Sequence, residues 1–204
     1  MPEPSQDFEQ LLQPVLAKLS LRLTSGQASI LSKHYALLQR WNRRVNLTSI
    51  RSPQEIVERH FGESLYLAKV IGKAKSLVDV GSGAGFPGLP FAVARPDVEV
   101  TLVESVSKKA TFLKEVSRPL GNVSVHEGRL EDLQECFEWA TMRAVAVPDL
   151  LPHLLRISTR LALLVSREEV ARLEPDVRVV WQENVSVPWS ERRVILIGKA
   201  SSGA

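Results

Sequence analysis

Cysteine is nearly missing from this 204-residue chain: Cys136 stands alone, which excludes an internal disulfide and any zinc site built on paired cysteines. The only tyrosines, Tyr35 and Tyr66, both fall in the first third. No apolar run approaches the ~18 residues that a bilayer-spanning helix needs. The opening MPEPSQDFEQ is acidic and polar, unlike a secretory signal, so a cytoplasmic protein without membrane association is expected. His and carboxylate residues show no metal-ligand spacing, and no metal is expected.

Against these absences stand 44% hydrophobic and 24% charged residues, the balance of a soluble globular protein, and the length suits one domain of ordinary size or one domain with an appendage. The net charge of +3 is unevenly spread. Residues 1–72 hold nine Lys/Arg against six Asp/Glu, whereas residues 73–204 hold 17 of each. The excess gathers around Arg40, Arg43, Arg44, Arg51 and Arg59. Such a patch suits either a solvated helix face or a phosphate-bearing partner.

Helical spacing runs through Phe8, Leu11, Leu12, Val15, Leu16 and Leu19 and predicts a first helix from Phe8 to about Leu23. A second is expected over 25–43. Ser52-Pro53, with Glu55 three residues after Ser52, carries a capping-box pattern and opens a third. The pattern then alternates. SLVDV, VEVTLVE, NVSVHE, ATMRAVA and RLALLVS read as strands; GLPFAVA, 107–118, 130–137 and 149–157 read as helices. DVRVVWQENVSV and RRVILIGK read as a hairpin at the sheet edge. Alternating strands and helices imply a parallel sheet covered on both faces. The expected division is a helical extension over 1–72, an α/β domain over 73–199 and a disordered tail over 200–204.

The first strand runs into LVDVGSGAGFPGLP (Leu77–Pro90). Glycine there permits positive φ and lets a ligand lie against bare backbone, while the next helix aims free N–H groups at the same place. Gly83, Gly85 and Gly88 formally match the dinucleotide fingerprint, but Gly81 comes first, so that register starts late. Neither tyrosine lies near, and little chain is left for a second nucleotide-binding half. Asp79, Gly81, Gly83 and Gly85 match without a shift the D-x-G-x-G-x-G pattern of S-adenosylmethionine-dependent methyltransferases. Glu104, ending the second strand, stands where the second motif of those enzymes has an acid. This likeness implies that it accepts hydrogen bonds from the ribose hydroxyls, which a carboxylate can take from two vicinal groups.

Further pieces align with this motif: RWNRRVNLTSI (Arg40–Ile50), RHFGESL (Arg59–Leu65), GRLED (Gly128–Asp132), TMRAVA (Thr141–Ala146) and SERRVILIGK (Ser190–Lys199). With DVGSGAGFPG they resemble the bacterial guanine-N7 methyltransferases of small-subunit ribosomal RNA, the glucose-inhibited division protein B family. The resemblance covers about Leu37 to Ala146 and returns at Ser190. Two positions depart from the family. Glu63 stands where H-x-x-D-S has Asp, and LALLVSREEV lacks the Lys-Gly pair often seen after strand five.

The resemblance implies a class I, Rossmann-like sheet of seven strands and S-adenosylmethionine as cofactor, with S-adenosylhomocysteine as product. Asp79, Gly81, Gly83, Gly85, Phe86, Glu104, Leu130, Glu131 and Arg143 are its implied cofactor residues, Arg143 also at the catalytic mouth. The implied partner is small-subunit ribosomal RNA within a ribosomal particle, not DNA, with the protein acting as a monomer. Arg40, Arg43, Arg44, Asn46 and Arg51 are expected at the RNA. Trp41 is expected to pack between elements, Asn42 and Asn46 also suit a helix end, and His60 reads as a structural histidine. Guanine N7 has a lone pair and no hydrogen, so direct in-line attack needs no base, metal or covalent intermediate. The Pro-Cys nucleophile and the [D/N]-P-P-[Y/F] motif of other base methylations are both missing. A nicotinamide-dependent oxidoreductase and a non-catalytic RNA-binding or assembly module on a methyltransferase fold are the alternatives.

Overall fold

The computed structural model describes residues 4–143 and 147–201. Helices α1 (Pro4–Leu19), α2 (Ser25–Asn42), α3 (Pro53–Ile56) and α4 (Glu63–Val70) precede the first strand, the last two joined by a π-helical stretch, Val57–Gly62. Then follow β1 (Ser76–Val80), α5 (Gly88–Ala94), β2 (Glu99–Glu104), α6 (Ser107–Val116) and β3 (Val123–Glu127). After a 3-10 turn, Leu130–Asp132, come β4 (Phe137–Arg143), α7 (Val147–Ile157), β5 (Ser158–Ser166), α8 (Arg167–Leu173), β6 (Val179–Val187) and β7 (Ser190–Ala200).

Among the described residues the sheet has seven strands in the order β3-β2-β1-β4-β5-β7-β6. The first five are parallel, and β7 runs antiparallel to both β5 and β6. The order reverses between β1 and β4, the switch point outside whose carboxyl ends ligands bind in open α/β sheets. Side chains alternate across the sheet. Leu77, Val100 and Leu102 pack under α1 to α6, while Val78, Val80, Val103 and Met142 pack under α7 and α8. Residues of the N-terminal helices, Phe8, Leu31 and Phe61 among them, share one continuous core with Phe91 and Phe112 of α5 and α6. That packing holds the basic end of α2 against the sheet domain.

Local chemistry explains the boundaries that differ from the expected ones. Helix α1 stops at Leu19 because Ser20 turns to φ 52°, and the amides of Ser20 and Leu21 fold back onto Ala17 and Leu16. At Ser52 only half of the capping box forms: its hydroxyl accepts from the Glu55 amide, but the Glu55 carboxylate turns to Arg59 instead. A full reciprocal box forms at Thr24 and Gln27, opening α2. The helix expected over 130–137 is one 3-10 turn, and Phe137 already belongs to β4. The Arg156 guanidinium donates to the carbonyls of Glu131 and Leu133 at 3.1 and 3.0 Å, diverting acceptors that a helix would need. Helix α8 was not expected; Ser166 and Glu169 form its capping box. Strand β4 starts at Phe137, and residues 144–146 lie outside the described residues. At the other end, Ala200 closes β7 and the Ser201 amide donates to the Arg178 carbonyl. The remainder of the expected tail, 202–204, also lies outside the described residues.

Candidate active site

The glycine turn occupies the carboxyl end of β1, at the switch point. Gly81, Gly83 and Gly85 have φ of 69°, 56° and 87°, the left-handed region that costs other residues about 1–2 kcal/mol. The amides of Gly81 and Ser82 donate to the Val103 carbonyl, and the Ser82 hydroxyl donates to the Asp79 carbonyl. Two carboxylates then fix the turn. Asp79 Oδ2 accepts from the Gly88 amide at 2.9 Å, and Glu104 accepts from the amides of Gly83 and Val106 at 2.9 and 2.8 Å.

The glycines have different reasons to be glycine. A Cβ on Gly88 would stand 2.3 Å from Leu102 and 2.7 Å from the Asp79 carboxylate, so close backbone approach excludes a side chain there. A Cβ on Gly83 would meet nothing nearer than a carbonyl at 3.7 Å, so its bare face is open. Asp79 is fully buried, and burial raises its carboxyl to about 7. Its Oδ1 has no hydrogen-bond partner among the described residues.

Arg143, the last residue of β4, is enclosed beside this turn. Burial lowers its guanidinium to about 10, and it stays cationic. Nη1 donates to the Arg59 carbonyl at 2.7 Å, Nη2 donates to His60 Nδ1 at 2.6 Å, and the buried Glu63 carboxylate lies 3.9 Å away. The guanidinium sits 5.6 Å from the centre of the Phe86 ring. Phe86 itself is sandwiched between His34 and His60, with centroids 4.7 and 4.6 Å away and interplanar angles of 15° and 12°. Burial lowers His34 to about 4; burial first, then the Arg143 charge, lowers His60 to about 2. Both imidazoles are neutral at pH 7.

Leu130 and Glu131 stand in the 3-10 turn after β3. Leu130 is buried in the α7 core, and Glu131 is exposed, 4.0 Å from His153. The structure gathers the basic residues of 40–51 at the α2 terminus. Arg40 pairs with Glu115 at 3.0 Å; Arg43, Arg44, Asn46 and Arg51 are exposed. Arg40, Arg43, Arg44, Trp41, Val45 and Glu115 line a cavity of about 490 Å³. The indole of Trp41 is half-buried, donating to Glu115 at 3.1 Å with its edge on Phe112. Asn42 clamps the loop beyond α2: its Oδ1 accepts from the amides of Leu47 and Thr48, and its Nδ2 donates to the Thr48 carbonyl.

Sequence reasoning left out His34, Thr48 and Arg193, and it treated His60 and Glu63 separately from Arg143. The available signal was that RHFGES, TMRAVA and SERRVILIGK stood out as motifs together; the structure brings all three into one hydrogen-bonded cluster.

Residues 27–171 match the family model described as GidB, rRNA small subunit methyltransferase G. The chain is 39% identical over 192 residues to the Ribosomal RNA small subunit methyltransferase G of Xylella fastidiosa strain M23, covering 88% of this chain and 90% of that protein. It is 48% identical over 120 residues to the protein of the same name from Clostridium perfringens strain 13, covering 54% and 50%. In fold it is similar to magnesium protoporphyrin IX methyltransferase from Synechocystis, solved with bound S-adenosylmethionine. That likeness has a TM-score of 0.62 at 14% identity over 80% of this chain and 91% of that one.

Proposed function

The chain belongs to the GidB family, rRNA small subunit methyltransferase G, and on that premise we propose that it methylates N7 of a guanine in small-subunit ribosomal RNA, using S-adenosylmethionine. The observation that carries this reading is the pair of carboxylates, Asp79 and Glu104, each holding one amide of a glycine turn at the sheet's switch point.

These residues fit the cofactor. The open face of Gly83 leaves room for a ligand against the backbone. Each Glu104 oxygen accepts one amide and keeps a lone pair for a ribose hydroxyl. Asp79 Oδ1, unpartnered among the described residues, would accept from an ammonium group, whose charge would hold the carboxyl in its ionised form. The 3-10 turn at Leu130 and Glu131 would flank the adenine through its backbone and the exposed Glu131, since the Leu130 side chain is buried in the α7 core. When bound, the cofactor supplies a methyl group on a positively charged sulfur, a good leaving group.

Guanine N7 brings its own lone pair and loses no proton, so the protein's task is orientation rather than proton transfer. The site agrees with that demand. Both ring nitrogens of His60 are engaged by Arg143 and Thr48, and the imidazole is neutral. Arg143, locked at the end of β4, sets the wall of the reaction space. N7 lies in the major groove, which A-form RNA makes too narrow for side chains. The target guanine is therefore exposed or flipped from a loop of the ribosomal particle. Arg40, Arg43, Arg44, Asn46 and Arg51 form the surface that meets the RNA backbone, with Arg143 beyond it.

Methyl transfer from labelled S-adenosylmethionine to undermethylated small subunits tests the reading. Label recovered as N7-methylguanine supports it; label on another atom, or none, overturns it.

A further inference from the structure

We propose that Thr48 and His60 are positioning residues that couple RNA docking on the basic arm to the placement of Arg143; this rests on the reading of that arm as the RNA surface and of Arg143 as an active-site residue. The starting point is the π-helical stretch. In an α-helix the Glu63 amide would bond to the carbonyl of Arg59, four residues earlier. Here it bonds to the carbonyls of Glu58 and His60 instead. The Arg59 carbonyl is thereby released, and Arg143 Nη1 takes it at 2.7 Å. Wide turns of this kind recur at functional sites, where they free a backbone group for other use.

The same turn presents His60 to the second arm of the guanidinium. Arginine can only donate, so Nδ1 of His60 accepts and its proton sits on Nε2. That Nε2–H donates to Thr48 Oγ1 at 2.8 Å. The ring is not free to absorb a displacement by rotating, since it lies flat on Phe86, which lies flat on His34. Thr48 in turn belongs to the loop that Asn42 clamps by three hydrogen bonds. The loop runs directly between Arg43 and Arg44 on one side and Arg51 on the other. A pull on those arginines therefore moves Thr48, and through His60 it moves Arg143. On its far side Arg143 faces Glu63, which Arg193 holds from β7, so the guanidinium works against a fixed counter-charge.

The test combines four single variants with one double variant. Thr48→Val keeps the shape and removes the hydroxyl. His60→Asn keeps an acceptor near the Nδ1 position but no longer reaches Thr48. His60→Gln reaches Thr48 but loses the acceptor for Arg143. Thr48→Ser is the conservative control. Methyl transfer to small subunits is measured with cofactor Kd, RNA Kd and Tm. Thr48→Val and His60→Asn are each expected to lower kcat about fivefold to tenfold, the factor for one lost net hydrogen bond. Neither should shift cofactor or RNA affinity by more than about twofold, since neither is among the residues assigned to the cofactor or the RNA. The double variant Thr48→Val/His60→Asn is expected to be no slower than its slower parent, because both cut the same link. Thr48→Ser should restore the wild-type rate, and His60→Gln should be slower than His60→Asn.

A Thr48→Val enzyme as fast as wild type, or multiplying losses in the double variant, would overturn the coupling while leaving the methyltransferase reading intact. A wild-type protein that transfers no methyl group to RNA would sink both. As a measurement independent of turnover, binding of a small-subunit RNA fragment should shift the His60 ring ¹⁵N resonances in wild type but not in Thr48→Val. Equal shifts in both would also count against the coupling.

Discussion

Arg193 grips Glu63 across 130 positions of sequence, Nε to Oε1 at 2.9 Å and Nη2 to Oε2 at 3.1 Å. The carboxylate is wholly buried and also faces Arg143 at 3.9 Å. One acid thus holds a β7 arginine and a β4 arginine against the first turn of α4. Replacing it by Gln would leave two largely buried guanidinium groups without their counter-charge. Glu63→Gln is expected to cost about 3 kcal/mol, the low end for breaking a buried pair from one side. In a chain of this size that lowers Tm by about 6–12 °C. Glu63→Asp, the residue of the family pattern, should lose much less because the charge stays. Thermal unfolding of the three proteins checks the order.

Gly83 and Gly88 should respond differently to the same change. Gly88→Ala places a methyl group 2.3 Å from Leu102, which is buried, and 2.7 Å from Asp79. Neither neighbour can move freely, so a loss of at least about 2 kcal/mol is expected. Gly83→Ala meets only the backbone cost of φ 56°, about 1–2 kcal/mol. Its methyl group, however, fills the open face proposed for the cofactor, and S-adenosylmethionine affinity should fall at least about tenfold. Urea unfolding and calorimetric titration separate the two effects.

Acidification should destabilise the protein in a defined window. Burial holds His34 and His60 far below the ordinary 6.5, so between about pH 6.5 and 4 the unfolded chain binds two protons that the folded one refuses. Asp79 works in the opposite sense, since its raised carboxyl keeps a proton in the folded state up to about 7. The balance of these three groups is about one proton, or a stability loss near 1.4 kcal/mol per pH unit on going down. The histidine contribution is fully present above pH 6.5. Asp79→Asn removes the opposing group and should make the loss about twice as steep. Urea midpoints at pH 5, 6 and 7 for both proteins measure the slopes.

Replacing Arg43, Arg44 and Arg51 together by Ala should weaken RNA binding and flatten its salt dependence by about two in the log–log slope, at about 0.7 per phosphate contact on single strands. Cofactor affinity should not change, because the three exposed side chains lie outside the glycine turn. An unaltered salt slope would remove this surface from the RNA interface.

The framework of the sheet was legible because its signals are local. The span of β1, the helix Gly88–Ala94 after the glycine turn and the edge hairpin follow from short apolar runs and their punctuation. What escaped depends on partners far along the chain. Leu133 carries no local sign that Arg156 will take its carbonyl, and nothing in VERHFG announces a π register whose freed carbonyl is used by an arginine 84 residues away. Helix α8 is different: S-R-E-E is a local capping signature. It lies between two strand-like runs, and that context obscured it. In the site, the motif named Asp79, Glu104 and the glycines. Their attachments to one another, and the imidazole stack behind them, emerge only once α2 and the π-helical stretch are laid against the sheet.

The most direct test is mass spectrometry of small-subunit ribosomal RNA from cells with the gene deleted, and from the same cells carrying either the wild-type protein or Gly83→Ala. The expected result is one N7-methylguanine that disappears on deletion, returns with wild type and is strongly reduced with Gly83→Ala. An N7-methylguanine content unchanged by deletion would contradict the assignment.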